Sequence, residues 1–342
     1  MKIKNFLLLI FVVLILLLFF GCPETGSSGG GSAGSSGGGS NNKQSGSQNK
    51  WTNLNPATSP TARMGLSMAY IRNNKIILFG GYSDETWEYD ISSNTWTNLN
   101  PVTKPSSRGY HSMTFIGNNK IILFGGLGSG TYNDETWEYD ISSNTWTNLN
   151  PVIKPSVRAG HAMTFIGNNK IILFGGSSSS SNYYNDTWEY DISSNTWTDL
   201  NPVTKPSARG YHSMVFIGIN KIILFGGWDG IYTAETWEYD ISTNTWTNLN
   251  PSISPSGRTS HSMVYTENNK IILFGGLISG GIQNDETWEY DISSNTWIDL
   301  NPLNKPSERD AHYMSYIGNN IIILFGGRNT GGTLNDTWKY IK

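Results

Sequence analysis

From residue 51 onward the chain consists of six copies of one unit. The string KIILFGG, with Ile in place of Lys in the last copy, recurs with its first glycine at positions 80, 125, 175, 226, 275 and 326, a period of 45 to 51 residues. TWEYD follows each copy, with its tryptophan at 87, 137, 188, 237 and 288, and TWKY follows the last at 338. NTW then appears with its tryptophan at 96, 146, 197, 246 and 297. A period near 50 built of short apolar runs points to an array of sheet blades, because a helical solenoid would show 3.6-residue periodicity instead.

Each unit reads as four strands. The first, as in RGYHSMTFI, passes through a GNNK turn into KIILFGG. TWEYDI forms the third, and an SSN turn leads to TWTNLN. The second strand is apolar at consecutive positions, as expected where both faces are covered. The third alternates Trp, Tyr and Ile with Thr, Glu and Asp and is less enclosed. Asn, Gly and Ser supply the turns. These residues resemble the kelch repeat: a double glycine after an apolar strand, then Tyr and Trp at set distances, with an Arg and often a His opening each unit. The resemblance spans residues 51–342 and implies an all-β, six-bladed kelch-type β-propeller of four-stranded antiparallel blades. WTNLNP at 51–56 is a fourth strand with no unit before it, and the chain ends on a third strand. The N-terminal strand should therefore complete the last blade and remove the open edge.

The first 22 residues read as an address. Lys2 and Lys4 precede the apolar run Phe6–Phe20, which is shorter than the ~20 residues of a spanning helix and stops at Gly21-Cys22. This resembles a bacterial lipoprotein signal, with residues 1–21 removed and Cys22, the only cysteine, carrying the lipid. Phe19 and Phe20 depart from the residues commoner at that point. Residues 22–50 are then a lipidated cysteine and a Gly/Ser tether, with an r.m.s. reach on the order of 30 Å. The expected location is outside the cytoplasm, at the cell envelope or surface, with the membrane as partner through that lipid. The net charge is −3 and the propeller carries no basic run, so a nucleic-acid partner has no electrostatic footprint. A lone cysteine leaves no disulfide or Cys-rich zinc site.

Antiparallel wiring puts the turns after strands one and three on one face and the loops after strands two and four on the other. The turns scarcely vary. The loop after the glycine pair does, from YSD to SSSSSNYYN and WDGIYTA, and variable insertions in a repeat array gather on its working face. Twelve of the thirteen tryptophans occupy repeated positions, and Trp228 is the exception. With it on the variable loops stand Tyr183, Tyr184, Tyr232, Tyr82, Tyr132, Asp229 and Arg328. Exposed aromatics offer flat apolar faces to sugars or protein partners. The candidate ligand-binding set is Trp228, Asp229, Tyr232, Tyr183, Tyr184 and Arg328, for a protein or glycan ligand, with no cofactor, metal or catalytic residue assigned.

The five histidines, 111, 161, 212, 261 and 312, share one repeat position, where the first copy has Leu66. That fits packing better than a metal site. The six arginines opening the units, 63, 108, 158, 209, 258 and 309, fit a repeated internal pair. The kelch resemblance also implies two alternatives: a carbohydrate-active enzyme of the sialic-acid mutarotase type, or a structural surface protein with no specialised site. The enzyme would need an acid/base cluster drawn from Glu308, Asp310, Asp229 and Arg328.

Overall fold

A computed structural model describes residues 49–342. The signal-like residues 1–21, Cys22 and nearly all of the Gly/Ser stretch lie outside the described residues. The described part is built of strands and turns, with six four-stranded antiparallel sheets. In blade 1 the strands are Leu66–Tyr70, Lys75–Gly80, Thr86–Asp90 and Thr95–Asn98, hydrogen-bonded in that order, and blades 2 to 5 repeat this order. Blade 6 takes its first three strands from Tyr313–Tyr316, Ile321–Phe325 and Thr337–Ile341 and its fourth from Lys50–Asn53, which pairs antiparallel with Thr337–Ile341. The first strands of successive blades are neighbours around a ring, and that of blade 1 neighbours that of blade 6. The predicted closure by the N-terminal strand is what the pairing shows.

The apolar run of the second strand explains how blades stack. Ile76, Ile77, Leu78 and Phe79 have no solvent exposure. Side chains alternate across a strand, so Ile77 and Phe79 pack with Ile121 and Leu123 of blade 2. Ile76 and Leu78 pack with Ile323 and Phe325 of blade 6. Six such clusters, one per blade interface, make up the core.

Polar side chains lock each interface. The fourth-strand tryptophan, 1–3% exposed, donates its indole N–H to the third-strand threonine of the preceding blade. The six bonds are Trp51 to Thr287, Trp96 to Thr337, Trp146 to Thr86, Trp197 to Thr136, Trp246 to Thr187 and Trp297 to Thr236, all 3.0–3.1 Å. The arginines work within a blade. Arg108 donates to the Gly125 carbonyl (3.0 Å) and to Glu135 (2.6 Å), and Glu135 also accepts the indole N–H of Trp137 (3.1 Å). All six arginines are buried, and each repeats this arrangement with its own glycine, acid and third-strand tryptophan. They are structural. The double glycine permits it: a Cβ on Gly226 would lie 2.7 Å from the Arg258 carbonyl oxygen of the next blade.

The histidines fill the same interfaces. Each stands edge-on to the second-strand phenylalanine of the preceding blade, at 5.4–5.5 Å, and neither ring nitrogen has a hydrogen-bond partner among the described residues. Burial, and next the charge of the neighbouring arginine, pushes His111, His212 and His312 down to about 3 and His161 and His261 well below the usual value.

At the variable-face end of the first strands, six main-chain bonds form a closed circle. Tyr110 N donates to the Gly65 carbonyl, Gly160 N to Tyr110, Tyr211 N to Gly160, Ser260 N to Tyr211, Ala311 N to Ser260 and Gly65 N to Ala311, all at 2.7–2.8 Å. Each of the six residues has a left-handed backbone, with φ between 52° and 67°.

Two outcomes follow from these features. Below pH ~6.5 the unfolded chain binds protons on five imidazoles that the folded chain keeps neutral. Stability is therefore fully present above that pH and falls as pH drops from ~6.5 toward ~3, by about 1.4 kcal/mol per unit per histidine. Urea denaturation between pH 7.5 and 5 should show this slope, and His161→Leu, which copies the residue that blade 1 carries at Leu66, should lessen it by about one fifth, the share of one histidine in five. In the turn after the first strand, Ile219 is 81% exposed with φ 45°, where the other copies place Asn73, Asn118, Asn168, Asn268 and Asn319. A β-branched residue is strained there and asparagine is tolerated. Ile219→Asn should raise unfolding stability by about 1 kcal/mol in the same assay.

Candidate functional site

The loop after the double glycine in blade 4 folds into a small hairpin. Trp228 exchanges both main-chain bonds with Gly210 of the same blade's opening segment (2.9 and 3.1 Å) and bridges to Tyr232 across the turn. Gly230, with φ 111°, makes that turn. The Trp228 and Tyr232 rings meet edge to face, with centroids 4.8 Å apart and planes at 79°. Asp229, at the tip, accepts from the Ser207 hydroxyl (2.6 Å) and the Ile231 amide (3.3 Å). Its carboxylate is spent on holding the loop.

Trp228 and Tyr232 form one wall of a cup of about 310 Å³ on the variable face. Tyr183, reaching over from blade 3, and Tyr211 stand beside them, and Tyr110 closes the far side. Tyr110 and Tyr211 meet edge to face at 5.2 Å. Because Tyr110, Tyr211 and Ser260 belong to the main-chain circle, that circle contributes to the floor. Thr259, Leu277, Asp310 and Arg328 complete the lining.

The charged corner is a pair. Asp310 is 1% exposed and both its oxygens accept from the Arg328 Nε–H, at 3.0 and 3.2 Å. Gln283 donates to the same carboxylate at 3.3 Å. The bond to Asp310 raises the Arg328 guanidinium above its ordinary value. Its two terminal amino groups have no partner among the described residues, and Arg328 lines the cup. Burial drives the phenols upward: Tyr110 strongly, Tyr211 to about 12, and Tyr82 and Tyr183 above the usual value. At neutral pH these hydroxyls are protonated and can donate. The cup thus offers ring faces and edges, hydroxyl donors and one guanidinium fork whose charge is largely balanced by a buried carboxylate.

Four of the six sequence candidates converge here: Trp228, Tyr232, Tyr183 and Arg328. Tyr184 does not. Its ring lies against the buried Arg158, 4.3 Å from guanidinium carbon to centroid, and its amide and carbonyl bond Gly176 and Arg209 (2.8 and 3.0 Å). Asp229 also stands outside the lining. Of the proposed acid/base cluster, Asp310 and Arg328 meet, whereas Asp229 bonds Ser207 and Glu308 makes no ion pair among the described residues. Tyr110 and Tyr211 are site residues that sequence reasoning misses. Their signal is present, since both interrupt a repeat position that holds Gly, Gly, Ser and Ala in the other blades. The misleading cue is the RGYH context, which reads as part of the strand-opening signature.

A second cavity, of about 320 Å³, opens at the other end of the first strands, lined by Met68, Met113, Met163, Met214, Met263 and Met314 and by Tyr70, Phe115, Phe216, Tyr265 and Tyr316. Its lining repeats from blade to blade, so it lacks the asymmetry of the cup.

Comparison with known proteins bears on the scaffold. No curated protein matches the chain by sequence. Among solved structures, one titled "Structure of YjhT" superposes with a TM-score of 0.68 at 18% identity, covering 82% of this chain and 95% of that one. At that identity the likeness is one of fold. A family model described as the KLHDC2/KLHL20/DRC7 kelch-repeats domain matches residues 30–227 and 219–341. With double glycines, buried arginines and third-strand tryptophans in every blade of a closed ring, the chain belongs to the kelch-repeat family.

Proposed function

We propose that the chain is an exported binding module, held at the cell envelope by a lipid on Cys22, whose variable-loop face recognises a protein or glycan ligand. The observation that carries the reading is the convergence of repeat-breaking residues. Trp228, Tyr232, Tyr183, Tyr110, Tyr211 and Arg328 come from loops and strand openings of different blades and meet in one cup, while the repeated tryptophans are spent on blade packing. Rigid aromatics with polar tips give contact area at low entropic cost.

The carbohydrate-enzyme alternative rests on the Asp310–Arg328 pair alone. Asp310 is committed to Arg328, and proton transfer would require a second group across the cup.

Screening the full-length chain against glycans and envelope proteins should identify a ligand, and Trp228→Ala should weaken its binding at least tenfold, the loss expected of a central aromatic anchor. Equal binding by the variant would remove Trp228 from the site, and absence of any ligand would favour a purely structural role. For the anchor, mass spectrometry of the wild-type chain should show a diacylglyceryl-type mass addition on Cys22 that Cys22→Ser lacks.

A further inference from the structure

The aromatic surface does not stop at the cup. Tyr211 meets Tyr110 edge to face, and Tyr110 in turn meets Tyr82, with centroids 6.1 Å apart and planes at 81°. Tyr82 belongs to the loop of blade 1 and Trp228 to that of blade 4; the ring contacts run from Tyr82 through Tyr110 to Tyr211, which shares the cup lining with Trp228. Tyr132 stands on the corresponding loop of blade 2. The corresponding loops of blades 5 and 6 carry no aromatic residue. The track is one-sided.

Its two tyrosine stations share a construction. Arg-Gly-Tyr-His occurs at 108–111 and at 209–212. In the first, Tyr82 lies on the backbone of Gly109, where a Cβ would come within 2.8 Å of its ring; in the second, Tyr183 lies on Gly210, with a would-be Cβ at 3.4 Å. Tyr82 holds a left-handed backbone, φ 61°, with its amide bonded to the Arg108 carbonyl at 3.0 Å, and stays 42% exposed. A tyrosine fixed in this way, away from the cup and still open to solvent, adds little to the packing of its own blade.

A compact ligand would need the cup alone. Successive ring platforms suit a chain whose units each present an apolar face, with hydroxyls along the edges for the phenols. The hydroxyls of Tyr82, Tyr110 and Tyr232 have no partner among the described residues, which leaves them available. A peptide fits less well. The main-chain amides of the central circle are bonded to one another, so they offer no open strand edge for β-addition. Among the described residues, Leu277 is the only aliphatic side chain lining the cup.

We infer that the variable face binds an extended glycan, with one end in the Trp228–Arg328 cup and the chain crossing Tyr211 and Tyr110 to Tyr82. This rests on the binding-module reading above and names its ligand class. The test is calorimetric titration of the full-length chain with linear oligomers of glucose, N-acetylglucosamine and galacturonate, monomer through hexamer. For at least one series, affinity should climb about tenfold or more with length and then level off. Tyr82→Asn, which removes the ring and suits the positive φ, should lower tetramer affinity about 3- to 10-fold and leave the monomer unchanged. Tyr82→Phe should restore most of the loss, and Trp228→Ala should weaken every length. Trp228-dependent binding with no length dependence would overturn the extended-chain inference and leave the binding module standing. Failure of all three series, or Tyr82-dependent capture of an unstructured peptide in their place, would overturn the glycan assignment.

Discussion

The hydrogen bond from a fourth-strand tryptophan to a threonine of the preceding blade is the contact on which the ring depends. It ties the outermost strand of one sheet to the third strand of its neighbour at a buried point where an unpaired indole N–H would be costly. Because it links blades and not strands within a blade, no single unit can satisfy it. The bond from Trp51 to Thr287 is the telling instance, since it comes from a strand that precedes all six units in the sequence. Without the N-terminal strand, blade 6 would lose its fourth-strand tryptophan, and Thr287 and the edge of Thr337–Ile341 would be left open.

Symmetry of that kind sets a condition on where function can reside. Arginines, histidines, threonines and the repeated tryptophans are each used six or five times in equivalent surroundings, and their polar groups are satisfied or buried by the scaffold. A site able to distinguish a ligand needs unlike groups meeting at one place. That happens where the central main-chain circle carries tyrosine in blades 2 and 4 and small residues in the others. The circle's bonds run main chain to main chain, so they survive a change of side chain wherever the residue accepts the left-handed backbone, and the circle becomes a platform for side chains that differ.

Legibility of the chain followed the same division. Strand order, blade closure and the structural use of the arginines were readable because a sixfold pattern repeats each inference. Among loop residues, membership of the site was only partly readable. Trp228, Tyr232, Tyr183 and Arg328 meet, yet Tyr184, next to Tyr183, turns under Arg158, as strand-like alternation sends neighbours to opposite sides. Asp229 looked like a polar contact and is consumed in its own turn. Tyr110 and Tyr211 are hard to single out because they stand inside the strand-opening signature, although only two blades carry them.

What the sequence by itself determined is the architecture. Local patterns of apolar runs, glycine pairs and turn residues, repeated at a period near 50, admit one way of burying both faces of every second strand. What only the tertiary structure decided is which solitary residues face one another. Trp228 and Arg328 are a hundred residues apart in the chain and come together because closing the ring brings loops of different blades over one centre. Their distance in sequence carries no trace of that meeting, since it depends on the angle between blades and on how each loop turns once it leaves the sheet.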